Sequence, residues 1–289
     1  MAAEFRPGKG MVLADAVPGE PLIVFKDVYL GFEDTYVIQG ISFDVSPGET
    51  KVLLGESGSG KTLIMKLAAG LLKPDSGRIW VMGREVNEMT ENELLDFRRH
   101  LGFVFQEGAL FDSMTVSENV AFRLREEGVA EDEIESRVRE ALTFVEMESS
   151  LDKFPADLSG GMRRRVSIAR ALVDRPAVVF YDSPTAGLDP VTSQTIITLI
   201  LRGRDAQGVT SLLATHRVQD AFGLANYHFD VGSGKVVPMT AGPTQSGAEQ
   251  ISPTNVLVLK QGKIYFEASA EELHRSNDAY LKRFLASAE

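Results

Sequence analysis

Apolar and polar positions change period several times along the chain. "PLIVFKDVYLGF" and "YVIQGISFDV" are rich in β-branched and aromatic residues and are broken at "FEDT" and "SPGE". That pattern predicts an antiparallel pair of strands. "ETKVLLG" is a short unbroken apolar run ending in a glycine-rich turn, which predicts a buried strand, and "KTLIMKLAAGLL" then takes helical character. "TENELLDFRRH" opens with Thr90 and Glu93 in capping-box spacing, so a helix starts there. From Glu131 the apolar residues Ile134, Val138, Leu142 and Val145 fall on one helical face. "AVVFYD" and "TSLLAT" read as further buried strands. Strand-helix alternation on this scale predicts a mostly parallel sheet covered by helices. Residues 232–254 are rich in Gly, Pro, Ser and Thr with weak periodicity and are expected to be an inserted loop. Residues 255–289 hold a hairpin turning near Gln261 and Gly262, then a helix capped by Ser269 and Glu272. Residues 1–20 read as a flexible Gly/Pro/Ala-rich leader.

The 289-residue length suits one large α/β domain with an appendage. The formal charge of -11 excludes a general binder of nucleic acid or anionic membrane, because nothing would drive counterion release. The absence of cysteine excludes disulfides, thiolate metal sites and thiol nucleophiles. No apolar run is long enough to span a bilayer, and Met1 to Gly10 lacks the apolar stretch of a signal peptide. Work at a membrane is therefore expected to depend on another chain.

"GESGSGKT", followed by Leu63, fits the P-loop pattern and lies between a strand and a helix. Backbone N–H groups of Gly55, Glu56, Ser57, Gly58, Ser59, Gly60, Lys61, Thr62 and Leu63 would wrap phosphates at the positive end of that helix. Lys61 would reach the β- and γ-phosphates, and Thr62 would place its hydroxyl on Mg²⁺. "VVFYD" puts Asp182 at a strand's carboxyl end, where it would hold the same metal through water. In "LSGGM", Ser159, Gly160 and Gly161 open a helix and offer a second phosphate receptor, although a serine there is also an ordinary helix cap. Two receptors in one chain suggest two chains that share nucleotides across an interface.

With these motifs in this order, the chain resembles the nucleotide-binding subunit of ATP-binding cassette (ABC) transporters from about Pro21 to Phe222. The resemblance implies an α/β P-loop NTPase fold: a RecA-like core, an antiparallel β subdomain and a helical signature subdomain at roughly 107–172, within a domain at 21–231. It implies ATP and Mg²⁺ as cofactors and a head-to-tail dimer with a second ATPase copy. Gln106 in "FVFQEGALF" is then the Q-loop glutamine that contacts metal and water, Asp189 in "AGLD" the D-loop aspartate, and His216 in "LLATHR" the switch histidine. Phe32 is the expected adenine-stacking aromatic, with Tyr36 as the alternative. "FQEGALFDSMTVSENVAFRLRE" further resembles the Mce/Mla-type ATPases of bacterial lipid traffic. That implies a membrane permease pressing on Gly108–Met114, an MCE-type substrate-binding protein, and a peripheral place on the cytoplasmic face of the inner membrane.

One departure stands out. The family normally follows the metal-binding aspartate with a glutamate that polarises the attacking water, and this chain has Ser183. A serine hydroxyl is too weakly basic for that role, and acid–base groups supply about 10²–10⁴ in rate. Three readings follow: a slow ATPase, a clamp that binds ATP without useful turnover, or another carboxylate entering the site. Asp182 is committed to magnesium and Asp189 points across the dimer, so neither is a ready replacement. A non-transport ABC ATPase is a further rival; single-cassette length and lack of cysteine weigh against ribosome-associated and repair types.

Overall fold

The computed structural model describes residues 20–33, 35–239 and 253–286. The expected leader thus lies almost wholly outside the described residues, as do positions 240–252 of the expected loop.

A six-stranded sheet forms the core. It contains β3 (Thr50–Gly55), β6 (Leu101–Val104), β7 (Val178–Asp182), β8 (Thr210–Thr215), β11 (Thr254–Lys260) and β12 (Lys263–Ser269), in the order β12-β11-β3-β8-β7-β6. All neighbours pair in parallel except β12, which returns antiparallel along β11. The inner strands β3, β7 and β8 are buried along their whole length because both faces are covered, whereas the edge strand β12 alternates with exposed positions. Val52 and Leu54 of β3 enter one apolar cluster and Leu53 the other; Val179 and Tyr181 of β7 likewise separate from Val178 and Phe180. This is the two-residue alternation of a strand with no solvent face.

A second sheet, β2-β1-β4-β5, is antiparallel: β1 (Ile23–Phe32), β2 (Thr35–Val45), β4 (Ser76–Val81) and β5 (Arg84–Glu85). It closes one cluster over α1 (Lys61–Ala68). The helix α2 (Glu91–Arg98) starts at Thr90, whose capping box with Glu93 forms as expected. The other cluster gathers α3 (Val116–Glu126), α4 (Glu131–Phe144) and α5 (Gly160–Leu172) with α6 (Pro190–Gln207) and α7 (Val218–Asn226). The C-terminal helices α8 (Ala270–Arg275) and α9 (Ala279–Ala286) dock on it through Leu273, Leu281 and Phe284.

Two expectations need correction. Helical character was expected to run to Leu72, but α1 stops at Ala68. Gly70 takes φ +63°, Leu71 N–H donates to the Lys66 carbonyl and Gly70 N–H to that of Leu67, which is a Schellman termination. The expected loop from 232 is ordered at its start: β10 (Lys235–Pro238) pairs antiparallel with β9 (Tyr227–Asp230). Its other end, Thr254, already belongs to β11.

Candidate functional site

Four adjacent parallel strands end on one edge of the core sheet, and each ends in a residue singled out above. β3 runs into the P-loop, β8 into His216, β7 into Asp182 and Ser183, and β6 into Gln106. Ligands bind at this edge of open α/β sheets, where strand ends and helix starts converge.

The P-loop is shaped by close approach. A Cβ at Gly55 would meet the Leu259 carbonyl oxygen at 2.7 Å, and one at Gly60 would meet Ile38 Cδ1 at 2.5 Å. Gly58 and Gly60 also adopt φ of +80° and +100°, which side chains disfavour. Glu56, Ser57 and Gly58 are exposed at the crest, while Ser59 is buried beneath. Lys61 is 8% exposed and its Nζ donates to the carbonyls of Gly55 and Glu56, both at 2.8 Å. Burial lowers its pKa, and the nearby charges of Asp182 and Glu56 oppose that shift. Leu63 packs on the apolar cluster below and so anchors the first turn of α1.

The start of α1 differs from other helices of the fold. No side chain caps it and no acid lies in its first turn. By contrast, α2, α3 and α8 carry complete capping boxes and α6 is capped by Asp189. Unsatisfied N–H groups with a positive dipole end are a receptor for anionic oxygen. Thr62 Oγ1 donates to Asp182 Oδ2 at 3.0 Å, which brings two hard oxygen ligands together. Magnesium takes such oxygens and fills the rest of its sphere with water and phosphate. The residues present therefore fit a magnesium-bound phosphate, for which Thr62 and Asp182 would be the protein ligands. Gln106 is exposed on the adjoining loop, within the same edge.

Ser183 is half-buried at φ +48°. Its N–H donates to the Ala214 carbonyl at 2.8 Å, and its Oγ lies 3.5 Å from Asp182 Oδ1. His216 is exposed and lines a cleft of about 810 Å³ with Gly55, Glu56, Ser57, Tyr280 and Arg283. The C-terminal helix α9 thus forms one wall of the cleft beside the P-loop crest, a placement the sequence did not signal.

Phe32 and Tyr36 are both exposed at the tip of the β1–β2 hairpin, at 51% and 56%. Tyr36 makes an edge contact with Tyr29, its ring centroid 5.8 Å away. The signature turn opens α5. Ser159 is exposed and caps α5 by accepting from Met162 N–H at 3.2 Å, so it has the ordinary cap geometry as well as exposure. Gly160 is exposed, whereas Gly161 is buried against α6. A Cβ at Gly161 would meet Thr192 Cγ2 at 2.3 Å. Asp189 accepts from Thr192 N–H at 3.0 Å and from its hydroxyl; these bonds lower its pKa.

Three supporting features escaped the sequence reading. Asp220, 2% exposed, accepts from the hydroxyls of Thr185 (2.6 Å) and Thr215 (2.7 Å), tying the turn after Ser183 to the strand before His216. Asn119 is fully buried; it accepts from the Phe111 N–H and donates to carbonyls of Phe111, Met114 and Thr115, so it shapes the 108–114 loop. Arg164 and Arg170 of α5 clamp both sides of the Q-loop through the carbonyls of Phe105, Gly108 and Ala109. Only the TVSE capping spacing at Thr115 could have flagged that region.

A family model described as ABC transporter matches residues 38–186. The chain is 37% identical over 224 residues to the methionine import ATP-binding protein MetN of Rhizobium johnstonii, covering 78% of this chain and 62% of that protein. It thus spans less than two thirds of that importer. It is 34% identical over 275 residues to the Arabidopsis thaliana protein TRIGALACTOSYLDIACYLGLYCEROL 3, chloroplastic, covering 91% of this chain and 73% of that one. Among solved structures, the dimeric ATP-binding cassette MJ0796 bound to ADP and Pi matches with 26% identity and a TM-score of 0.70, over 86% of this chain and 98% of that one. The protein cbiO1 of Clostridium perfringens, part of the cbiONQ ABC transporter complex, matches with 27% identity and a TM-score of 0.74, over 91% and 94%.

Proposed function

The chain belongs to the ABC transporter family, and we propose that it is the ATP-hydrolysing subunit of a transporter that moves lipid across a bacterial envelope. ATP with Mg²⁺ is the standard cofactor pair of this family. The observation that carries the nucleotide reading is the uncapped, acid-free start of α1 beside the Thr62–Asp182 pair. Lys61 would hold the transferred phosphoryl group, Thr62 and Asp182 the metal, and His216 and Gln106 would line the γ-phosphate end. Magnesium, when bound, neutralises developing phosphate charge. Ser183 in place of the usual glutamate makes turnover slow.

The partners belong to the same proposal. A second copy would bring its Ser159, Gly160 and Gly161 onto this chain's nucleotide, with Asp189 at the seam. Among the described residues no helix is long and apolar enough to cross a membrane. A permease would therefore hold the chain peripherally at the cytoplasmic face, pressing on 108–114. Phe111 supports this, because it is 42% exposed in a loop that Asn119 holds rigid. An MCE-type protein would complete the system.

Lipid is favoured over other cargo because the match to the relative with a lipid's name covers 91% of this chain, against 78% for the methionine importer. The importers, at higher identity, support amino-acid import as the second reading. A tagged chain isolated with its membrane partner decides between them. Phospholipid vesicles should stimulate its phosphate release; stimulation by methionine instead would overturn the lipid assignment. Tight ATP binding with turnover no higher than a Lys61→Ala control would make it a regulatory clamp.

A further inference from the structure

We propose that Asp220 is a positioning residue of the hydrolytic site, holding His216, the turn after Ser183 and the Asp189 end of α6 as one unit. The proposal rests on the hydrolase reading above and says what keeps that site aligned.

A continuous set of hydrogen bonds carries it. Thr215, the last residue of β8, donates its hydroxyl to Asp220 Oδ2 at 2.7 Å and accepts from the Arg217 N–H at 3.0 Å. One hydroxyl thus closes a turn around His216 and ties that turn to the start of α7. Thr185, two residues after Ser183, donates to the same Oδ2 at 2.6 Å. Ser183 is itself joined to β8 through its N–H on the Ala214 carbonyl.

Arg217 extends the unit. Its Nη1 donates to the Thr185 carbonyl at 3.3 Å and to Ser193 Oγ at 2.9 Å, and its Nε lies 3.8 Å from Asp220 Oδ1. Ser193 sits at the start of α6. Its N–H donates to the Asp189 carbonyl at 2.9 Å and its hydroxyl to the Leu188 carbonyl at 3.4 Å. The network therefore passes from the backbone of His216, through the turn that follows Ser183, to the Asp189 corner expected at the dimer seam.

Burial makes the network stiff. Thr185, Ser193, Thr215 and Asp220 are 0%, 4%, 1% and 2% exposed. Polar groups so buried are costly unless bonded, and here the Asp220 oxygens face two hydroxyls and a guanidinium. A carboxylate is an expensive way to fill this space, since an apolar side chain would carry no desolvation penalty. What the carboxylate adds is direction: it sets two strand ends at fixed places relative to each other. The imidazole of His216 is exposed and takes its place from that backbone. With Ser183 in place of a glutamate, alignment of the remaining groups carries more of the reaction. A displacement of about 1 Å costs about 10²-fold in rate.

Two measurements on the purified full chain test this. In the first, the ring resonance of His216, one of four histidines, is followed by NMR as Mg–AMPPNP binds. The resonance should shift in wild type. Asp220→Ala should lose that shift while nucleotide affinity stays within about twofold. In the second, single-turnover phosphate release from Mg–ATP should fall about 10²-fold in Asp220→Ala. Should that variant fail to fold, Thr215→Val, which keeps the shape and removes the hydroxyl, should move both readouts the same way. A His216 resonance that responds in a folded variant as it does in wild type overturns the proposal. So does a wild-type resonance that ignores the nucleotide. A loss of affinity as large as the loss of rate also overturns it, because Asp220 would then support the fold and not the alignment of His216. Wild-type release no faster than Lys61→Ala would sink the hydrolase reading, and the resonance would still decide whether Asp220 positions His216.

Discussion

Ser183 stands where backbone strain and chemistry meet. Its φ of +48° is a conformation that favours glycine, yet a side chain is retained. Serine already carries a Cβ there, so Ser183→Glu adds no new backbone strain. Phosphate release should rise by about tenfold or more if the absent base limits turnover. An unchanged rate would place the limit in another step, such as dimer opening. Gly161 offers a second test. Its added Cβ would sit 2.3 Å from Thr192 Cγ2, so Gly161→Ala should cost about 1–3 kcal/mol in urea unfolding. Thr192→Ser, which removes that methyl, should recover most of the loss in the double variant. Glycines in a signature turn read from sequence as phosphate receptors. Gly161 is also a packing residue, because α5 crosses α6 too closely for a side chain.

At the scale of elements, helix starts divide the fold into capped and uncapped ends. The boxes at Thr90, Thr115 and Ser269 hold Glu93, Glu118 and Glu272, and the hydroxyl and backbone donors lower each carboxyl below its ordinary value. A carboxyl whose folded pKa is depressed stabilises the fold fully above its unfolded value. That contribution drains away as pH falls below the ordinary 4.5 and through the folded pKa. Thr115→Ala should therefore cost about 1 kcal/mol at pH 7. Its gap from wild type should narrow under acid, as read from denaturation midpoints at both pH values. Legibility from sequence followed the same division. Strands buried on both faces, the β1–β2 pair and the terminal hairpin were plain in apolar runs. The edge strand β6, the short β5 and the β9–β10 hairpin were not, because each is too short to show a period against its surroundings. The P-loop and Asp182 were legible because their residue types are fixed by phosphate and metal. Arg164, Asn119 and Asp220 were invisible because their roles come from partners far along the chain.

For the whole molecule, ATP would join the P-loop of one copy to the exposed Ser159 turn of another. Each copy carries a formal charge of -11. Long-range repulsion should make ATP-driven pairing stronger as ionic strength rises from about 0.01 to 0.15 M, where the screening length falls from about 30 to 8 Å. The C-terminal helix α9 shares the cleft with the P-loop through Tyr280 and Arg283, so the tail belongs to the nucleotide end of the molecule and not to a detached appendage. The most direct test of the sandwiched nucleotide is light scattering of the full chain with saturating Mg–ATP. The mass should double from 31.6 kDa, and Lys61→Ala and Ser159→Arg should each prevent the doubling. A wild-type chain that stays at the mass of one copy while saturated with ATP would contradict the account.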